Sequence, residues 1–275
     1  MRIVSNLVTR SVAGVIFSLA VLATAWFGPL LFGLLFLFFA AVGLYEIYEL
    51  QRHKEVNAPR WFKGMAVGVL IYLLIFLIAT DSIPMGHLWL LGLIIPVVFC
   101  TELIRLDDSS LSNLALTIFG WIYVVLPFAM INLLPVVSGY YEWSLPVGYF
   151  LILWANDTGA YFIGKKFGKN KLYQQVSPNK TWEGLIGGVL LAVAVAILIS
   201  QYFTVTDMQH WIVVGLIVGV FGNLGDLFES HLKRNYHVKD SGSIIPGHGG
   251  VLDRFDGLLI SLPVVIAYFK LFGHI

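Results

Sequence analysis

Nine apolar runs divide this chain, and each is close to the length of about 20 residues that a helix needs to cross a bilayer. The strands of a membrane β-barrel are about half as long and alternate in polarity. With 58% hydrophobic and only 12% charged residues, the chain also lacks the polar surface of a soluble globule. The sequence therefore predicts an all-α, polytopic membrane protein with about nine transmembrane helices. The runs are Ser11–Phe27, Leu31–Ile47, Met65–Thr80, Leu88–Ile104, Leu114–Leu134, Leu145–Ile163, Leu185–Tyr202, Trp211–Leu227 and Leu258–Phe272.

The basic residues predict the orientation of these runs, because cytoplasmic loops collect Lys and Arg. With a cytoplasmic N-terminus, all but one of the 17 Lys and Arg residues fall on the cytoplasmic side, and only Lys270 falls on the other. The loops between runs six and seven and between runs eight and nine then face the cytoplasm. The cytoplasmic set is Arg2, Arg10, Arg52, Lys54, Arg60, Lys63, Arg105, Lys165, Lys166, Lys169, Lys171, Lys180, Lys233, Arg234, Lys239 and Arg254.

The N-terminus has an alternative interpretation, since the first run is preceded by Arg2 and Arg10 and ends in the small residues Ala23-Thr24-Ala25. This pattern also resembles a cleaved secretory signal. A retained span is favoured because Gly28-Pro29 leads at once into the second run. With no internal repeat and no soluble insertion, we expect one membrane domain over residues 1–275. Two GxxxG pairs, Gly184/Gly188 and Gly215/Gly219, predict close helix contacts.

Four acidic residues lie where apolar runs cross or reach the predicted membrane surface: Asp157, Asp226, Asp253 and Asp256. Ionisable groups at such depth are costly and usually functional, so Asp157 should face a cavity. A helix that begins near Asp253 would place Asp253 and Asp256 on one face. Because runs eight and nine are antiparallel, Asp226 can meet this pair. Carboxylate oxygens alone suit Mg²⁺ that is bound together with substrate phosphates.

The segment Ser230–Asp256, SHLKRNYHVKDSGSIIPGHGGVLDRFD, carries the densest group of charges in the chain. Its four basic residues and its PGHGG turn predict phosphate binding, because glycines let backbone N–H groups turn toward an anion. The alternative is that the acids pair with Lys233, Arg234 or Arg254 and only lock the loop. The first interpretation predicts a phosphate and metal site at the membrane surface.

This segment resembles the signature of the CDP-diacylglycerol synthases, also called phosphatidate cytidylyltransferases. Three upstream motifs also resemble that family: NDTGAY at Asn156–Tyr161, SPNKTWEG at Ser177–Gly184 and GNLGD at Gly222–Asp226. The resemblance covers the C-terminal half, residues 145–275, where we expect the active site. The N-terminal runs match the family only in hydropathy and number.

The resemblance implies that CTP and phosphatidate react to give CDP-diacylglycerol and pyrophosphate in phospholipid biosynthesis. The attacking phosphomonoester has its second pKa near 6, so no general base is needed at neutral pH. Catalysis then consists of positioning and charge neutralisation around the α-phosphorus. The resemblance assigns Mg²⁺ to Asp226 and Asp253, with Asp256 as ligand or close neighbour, and suggests a K⁺ ion at the same centre.

The expected site residues follow from the same resemblance. Lys233 and Arg234 join the three carboxylates as the catalytic set. Asp157 is expected to shape the polar cavity or to bond a ribose or base. His248 either contacts phosphate or suits the turn, and Asp240 either pairs with Lys239 or Arg234 or touches a metal. The expected substrate-binding residues are Lys180, Ser177, Lys239, Asp240, His248, Gly249, Gly250, Arg254, Asn156, Asp157 and Asn223.

The expected partners are CTP, phosphatidate, membrane lipids and a second copy of the chain, with no nucleic acid. The expected location is a bacterial inner membrane, with the active site facing the cytoplasm. Two other classes of protein stay open. A transporter would show polar residues at depth but also repeated hydropathy halves. Another metal-dependent phosphotransferase acting on a lipid phosphate, such as a sugar-phosphate transferase, would show a similar loop.

Overall fold

The computed structural model describes residues 2–54, 61–103, 110–242 and 249–272. Within these ranges the chain is helical apart from one two-stranded hairpin and the connecting turns. Arg60, Arg105 and the residues 243–248, among them His248, lie outside the described residues. The helices are α1 (Arg2–Phe27), α2 (Pro29–Lys54), α3 (Trp61–Ala79), α4 (Leu90–Leu103), α5 (Ser110–Gly120), α6 (Leu126–Met130), α7 (Ser144–Phe167), α8 (Trp182–Ser200), α9 (Met208–Ile217), α10 (Asn223–Asn235) and α11 (Leu252–Phe272).

Short 3₁₀ and π-helical turns join several of these helices. The 3₁₀ turns are Met85–Trp89 and Ile131–Val136, and the π-helical turns are Trp121–Val125 and Val218–Gly222. The hairpin consists of β1 (Lys171–Tyr173) and β2 (Ser177–Thr181), which are antiparallel. Because a π-helical turn continues directly into α10, the stretch from α9 to α10 forms one long apolar helix with a local widening.

The all-α membrane fold predicted from the sequence is confirmed. Within the described ranges, six helical stretches are long and apolar enough to cross a membrane. Predicted runs one and four correspond to the shorter apolar helices Val12–Phe27 and Met85–Cys100, and run six to the more polar α7. The count of nine spans and the orientation stay predictions. The six stretches are Pro29–Arg52, Phe62–Ala79, Leu111–Val136, Trp182–Ser200, Met208–Asn235 and Leu252–Phe272.

The described residues form two compact units. The N-terminal unit contains residues 2–133 together with 240–252, and its core is built around aromatic side chains of α2, α3 and α6. The hydroxyl group of Tyr72 donates to the Gly33 carbonyl at 2.7 Å and accepts from the Asn132 amide at 2.9 Å. Polar groups inside a membrane protein need such internal partners, because lipid offers none.

The C-terminal unit contains residues 134–239 together with 253–272. Its main contact joins α7 to α8 through small residues. A Cβ atom added at Gly159 would lie 2.8 Å from the Gly187 carbonyl oxygen, and one at Gly184 would lie 2.9 Å from the Ala160 carbonyl oxygen. The backbones therefore approach as closely as small residues allow.

The second glycine pair makes a similar contact with α8. A Cβ atom at Gly215 would lie 3.1 Å from Ala196 Cβ, and one at Gly219 would lie 2.9 Å from Val189 Cα. Both glycine pairs thus lie at close helix contacts, as the sequence predicts.

Candidate active site

An open cavity of about 540 Å³ with several charged side chains lies in the C-terminal unit. It is formed by α7, the hairpin, the first turn of α8 and the start of α10. Its charged side chains are Asp157, Lys165, Lys171, Lys180 and Asp226. The structure places Asp157 at a cavity, as the sequence predicts. Three cations and two carboxylates in one open cavity can bind a polyanion and a cation together.

The hairpin brings Lys180 to this cavity, and Glu183 holds the hairpin in place. The carboxylate of Glu183 accepts from the backbone N–H groups of Lys169 at 3.1 Å and Asn170 at 3.2 Å, and from the Asn170 side-chain amide at 2.6 Å. The Thr181 hydroxyl caps α8 by accepting from Gly184 N at 3.1 Å. Lys180 therefore lies on a short strand that ends at the capped start of α8, and Glu183 fixes the residues that lead into the hairpin.

Lys180 forms an ion pair with Asp226 at the start of α10. The distance from Lys180 Nζ to Asp226 Oδ2 is 2.6 Å. The other carboxylate oxygen, Oδ1, is 3.4 Å from the Ser230 hydroxyl, and 43% of the Asp226 side chain is exposed. Two expected site residues are thus together at the cavity, and Asp226 keeps an accessible surface.

A buried amide network connects α7 to α10 beside the cavity. Asn223 donates to Asn156 Oδ1 at 2.9 Å and to the Gly219 carbonyl at 2.7 Å, and Asn156 Nδ2 lies 3.5 Å from Asp157 Oδ1. A Cβ atom at Gly188 would lie 2.6 Å from Asn156 Oδ1, so glycine there leaves room for this network. Asn156 therefore orients Asp157 and Asn223, while Asn223 itself lines the cavity.

Lys233 lies between two buried carboxylates in the same unit. Its ammonium group is 2.6 Å from Glu229 Oε2, one helical turn earlier in α10, and 2.5 Å from Asp253 Oδ1 in α11. The exposed fractions of the three side chains are 12% for Lys233, 2% for Glu229 and 8% for Asp253. For Lys233 and Asp253, the structure shows the ion pairing that the sequence left open as an alternative. A role of Lys233 in phosphate binding stays a prediction.

Asp256 lies at a close approach of α11 to α10. A Cβ atom at Gly225 would meet the Asp256 carbonyl oxygen, and Asp256 Oδ1 accepts from Gly257 N at 2.7 Å. The Asp256 carboxyl group is also within electrostatic range of Asp157 and Asp226. The expected approach of Asp256 to Asp226 is therefore present, because the glycine lets the two helices meet.

These carboxylates suit a cation that also binds a substrate. Among the described residues, no group of three His, Cys, Asp or Glu side chains has the spacing of a metal site. Protein sites for Mg²⁺ usually supply one or two carboxylates and leave the other positions to phosphates and water. The accessible Asp226, with Asp157 and Asp256 near it, fits this second arrangement.

The other expected residues have more varied surroundings. Arg234 donates to the Val238 carbonyl at 3.1 Å, and Ser177 begins β2. Gly249 has a positive φ of 85°, which glycine adopts without strain, and Gly250 is buried in the N-terminal unit. The remaining three, Lys239, Asp240 and Arg254, are exposed.

The sequence did not predict as site residues four side chains that line the cavity or make buried polar contacts in the structure. Lys165 and Lys171 line the cavity but served only to predict orientation. Glu229 precedes Lys233 by four residues, a spacing that predicts an ion pair on a helix. Glu46 is an acid inside the second apolar run, and its depth alone could have marked it.

Comparison with known proteins agrees with these features. The profile of the cytidylyltransferase family matches residues 8–272. A phosphatidate cytidylyltransferase of Bacillus subtilis (strain 168) is 32% identical over 274 residues, which cover 96% of this chain and 98% of that protein. Phosphatidate cytidylyltransferases of Staphylococcus aureus (strain COL) and Staphylococcus epidermidis are 53% and 50% identical over 118 residues, which cover 42% of this chain and 45% of each relative. Because both the profile and the Bacillus relative match nearly the whole chain, the chain belongs to the cytidylyltransferase family and is a nucleotidyltransferase.

Proposed function

We propose that this protein is a phosphatidate cytidylyltransferase. The observation that carries the proposal is the match to the Bacillus subtilis protein of that name, since it spans 96% of this chain and 98% of the relative. In the proposed reaction, an oxygen of the phosphatidate phosphate attacks the α-phosphorus of CTP. The new bond joins that oxygen to the α-phosphorus. The bond that breaks joins the α-phosphorus to the oxygen between the α- and β-phosphorus atoms, and that oxygen leaves with pyrophosphate. The products are CDP-diacylglycerol and pyrophosphate.

The cavity of the C-terminal unit supports this chemistry. Lys165, Lys171 and Lys180 provide positive charge for a triphosphate and a lipid phosphate. The lipid phosphate is already largely ionised at neutral pH, so no base has to remove a proton from it. Phosphoryl-transfer enzymes act mainly by positioning and by stabilising charge. The residues of the cavity are suited to both tasks.

We also propose Mg²⁺ as the cofactor, held by Asp226 together with Asp253 and Asp256. When bound, Mg²⁺ supplies neutralisation of charge on phosphate oxygens. The chain's own residues would then hold the substrates. Lys180, which lies beside Asp226, would bind phosphate, and Asp157, which Asn156 orients, would shape the cavity. A K⁺ ion at the same centre stays a prediction of the family resemblance.

The proposed location is a bacterial inner membrane, with the cavity open to the cytoplasm, where CTP is made. Bacterial relatives and the bias of Lys and Arg support this location. The homodimer stays an expectation from the family resemblance.

The substrate assignment can be tested with purified protein in detergent. The protein is supplied with phosphatidate and with CTP, UTP, ATP or GTP in turn, and the lipid product is identified by mass spectrometry. We expect CDP-diacylglycerol with CTP and no nucleotide-linked lipid with the purine nucleotides. Diacylglycerol in place of phosphatidate is the matched control, because it lacks the attacking phosphate. If no lipid product forms with CTP and phosphatidate, the proposed function is wrong.

A further inference from the structure

Glu46 is a buried carboxylate in α2, inside one of the apolar stretches that can cross a membrane. Only 2% of its surface is exposed. A buried carboxylate is costly unless hydrogen bonds and charges compensate it. Its partners therefore show what the chain gains by keeping an acid at this position.

The partners of Glu46 are at the start of α11, in the same unit. Val251 N donates to Glu46 Oε1 at 2.9 Å, and Leu252 N donates to Oε2 at 3.0 Å. Leu252 is the first residue of α11, and N–H groups at a helix start have no acceptor within the helix. The positive end of the helix dipole also favours an anion there. Glu46 thus caps a helix that begins about 200 residues later in the sequence.

Glu46 also contacts the other end of the segment 241–252. The Ser241 hydroxyl donates to Oε2 at 3.2 Å. A Cβ atom at Gly242 would lie 2.6 Å from Oε1, and one at Gly250 would lie 2.5 Å from Oε2. Glycine at both positions therefore lets one carboxylate reach both ends of the segment.

Glu46 acts directly after the glycine turn PGHGG, for which the sequence predicts phosphate binding. The N–H groups of Val251 and Leu252, which follow that turn, donate to a carboxylate of the chain itself. A second anion at these two groups would be repelled by Glu46, so their role is to fix the start of α11.

We propose that Glu46 is a positioning residue for the reaction. It fixes both ends of the segment 241–252 and so sets the backbone at Leu252, directly before Asp253 in the chain. The inference rests on the proposed function, in which Asp253 is one of the carboxylates that hold the metal. Glu46 itself touches no substrate in this role.

The test compares Glu46→Gln with Glu49→Gln in purified protein. Glu49 lies on the same helix, is partly exposed and pairs with Arg52, so it controls for the loss of one acid from α2. In Glu46→Gln an N–H₂ group replaces one acceptor oxygen, which leaves a buried N–H group without its partner. We expect kcat to fall about tenfold or more with little change in KM for CTP, because Asp253 is displaced while the lysines of the cavity are unchanged.

Hydrogen exchange supplies a second readout that is independent of activity. The amide N–H groups of Val251 and Leu252 should exchange faster in Glu46→Gln than in the wild type, and at the wild-type rate in Glu49→Gln. Unchanged exchange would contradict the anchoring, and faster exchange with unchanged kcat would contradict the positioning role. If the wild type makes no CDP-diacylglycerol, the proposed function fails, while the exchange rates still decide whether Glu46 anchors the segment.

A compensating pair of variants covers the case in which Glu46→Gln does not fold. The three atoms nearest to a Cβ at Gly242 all belong to Glu46, so Gly242→Ala should lower kcat by pushing that side chain away. Adding Glu46→Asp, with its shorter side chain, should restore part of the activity. A double variant that is as impaired as Gly242→Ala alone, or more impaired, would overturn the proposal.

Discussion

The ammonium group of Lys233 lies 2.5 Å from Asp253 Oδ1, across the contact between α10 and α11 in the C-terminal unit. The same group is 2.6 Å from Glu229 Oε2, so one lysine pairs with two buried acids. Each of these carboxylates would be costly to bury alone. Lys233 therefore stabilises this part of the fold, whatever it contributes to catalysis.

Replacing Lys233 with methionine should strongly destabilise the protein. The change leaves Glu229 and Asp253 buried without their cation, and breaking a buried pair in this way costs about 3–5 kcal/mol. Thermal unfolding in detergent measures the effect. Lys270→Met, at an exposed position near the end of α11, is the matched control and should leave the midpoint almost unchanged. Equal midpoints for the two variants would contradict the pairing.

Removing Lys180 should affect activity much more than stability. Asp226 is 43% exposed, so water can solvate its carboxylate once Lys180 is removed, and the loss of folding free energy should be only about 1 kcal/mol. Lys180→Ala should nevertheless lower kcat/KM by about tenfold or more, because under the proposed function Lys180 makes a charge-assisted contact with a substrate phosphate. Initial rates of pyrophosphate release and the unfolding midpoint check both parts. A large fall in the unfolding midpoint with little loss of rate would mean that Lys180 stabilises the fold and does not bind substrate.

Two adjacent lysines at the end of α7 can be compared to test whether the cavity binds CTP. If it does, only the lysine that lines the cavity should affect KM, and not any lysine near it. Lys165 lines the cavity, whereas the Lys166 ammonium group lies 5.2 Å from the centre of the Phe167 ring. Lys165→Ala should raise KM for CTP by about tenfold, the effect of losing one charge-assisted contact, and Lys166→Ala should leave it nearly unchanged. Similar KM values for the two variants would show that the cavity does not bind CTP through Lys165.

The close approach of α10 to α11 predicts different effects for two glycines. A Cβ atom at Gly225 would overlap the Asp256 carbonyl group, whereas one at Gly222 would meet Leu153 at an ordinary 3.4 Å. Gly225→Ala should therefore destabilise the protein by about 1–3 kcal/mol, as overpacking does, and Gly222→Ala much less. Unfolding midpoints of the two variants, measured side by side, test this. A tolerated Gly225→Ala would mean that the helices are further apart.

The sequence alone predicts the fold class and several residues of the cavity, because both leave strong local signals. Apolar runs of bilayer length mark helices directly. The acids Asp157 and Asp226 stand out because they interrupt or end such runs, and both line the cavity. Glycine spacing likewise predicts the contacts of Gly184 and Gly215 with neighbouring helices.

Other features depend on which distant residues meet, and the sequence does not encode them locally. Glu46 finds its partners about 200 residues away, so no spacing could predict that it caps α11. The hairpin that carries Lys180 was not predicted, because SPNKT has no strand-like alternation of apolar residues. Lys233 was expected to bind phosphate, but its side chain is held by Glu229 and Asp253. Only the fold decides whether a lysine faces an acid or a substrate.

Pyrophosphate release from CTP, measured with and without phosphatidate and Mg²⁺, tests cytidylyl transfer at this site most directly. The wild type, Asp226→Asn and Asp253→Asn are compared, and their unfolding midpoints show that each variant is folded. We predict that release by the wild type requires both additions and that both folded variants lose it. Release that is independent of phosphatidate or of Mg²⁺, or that persists in the folded variants, would contradict cytidylyl transfer at this site.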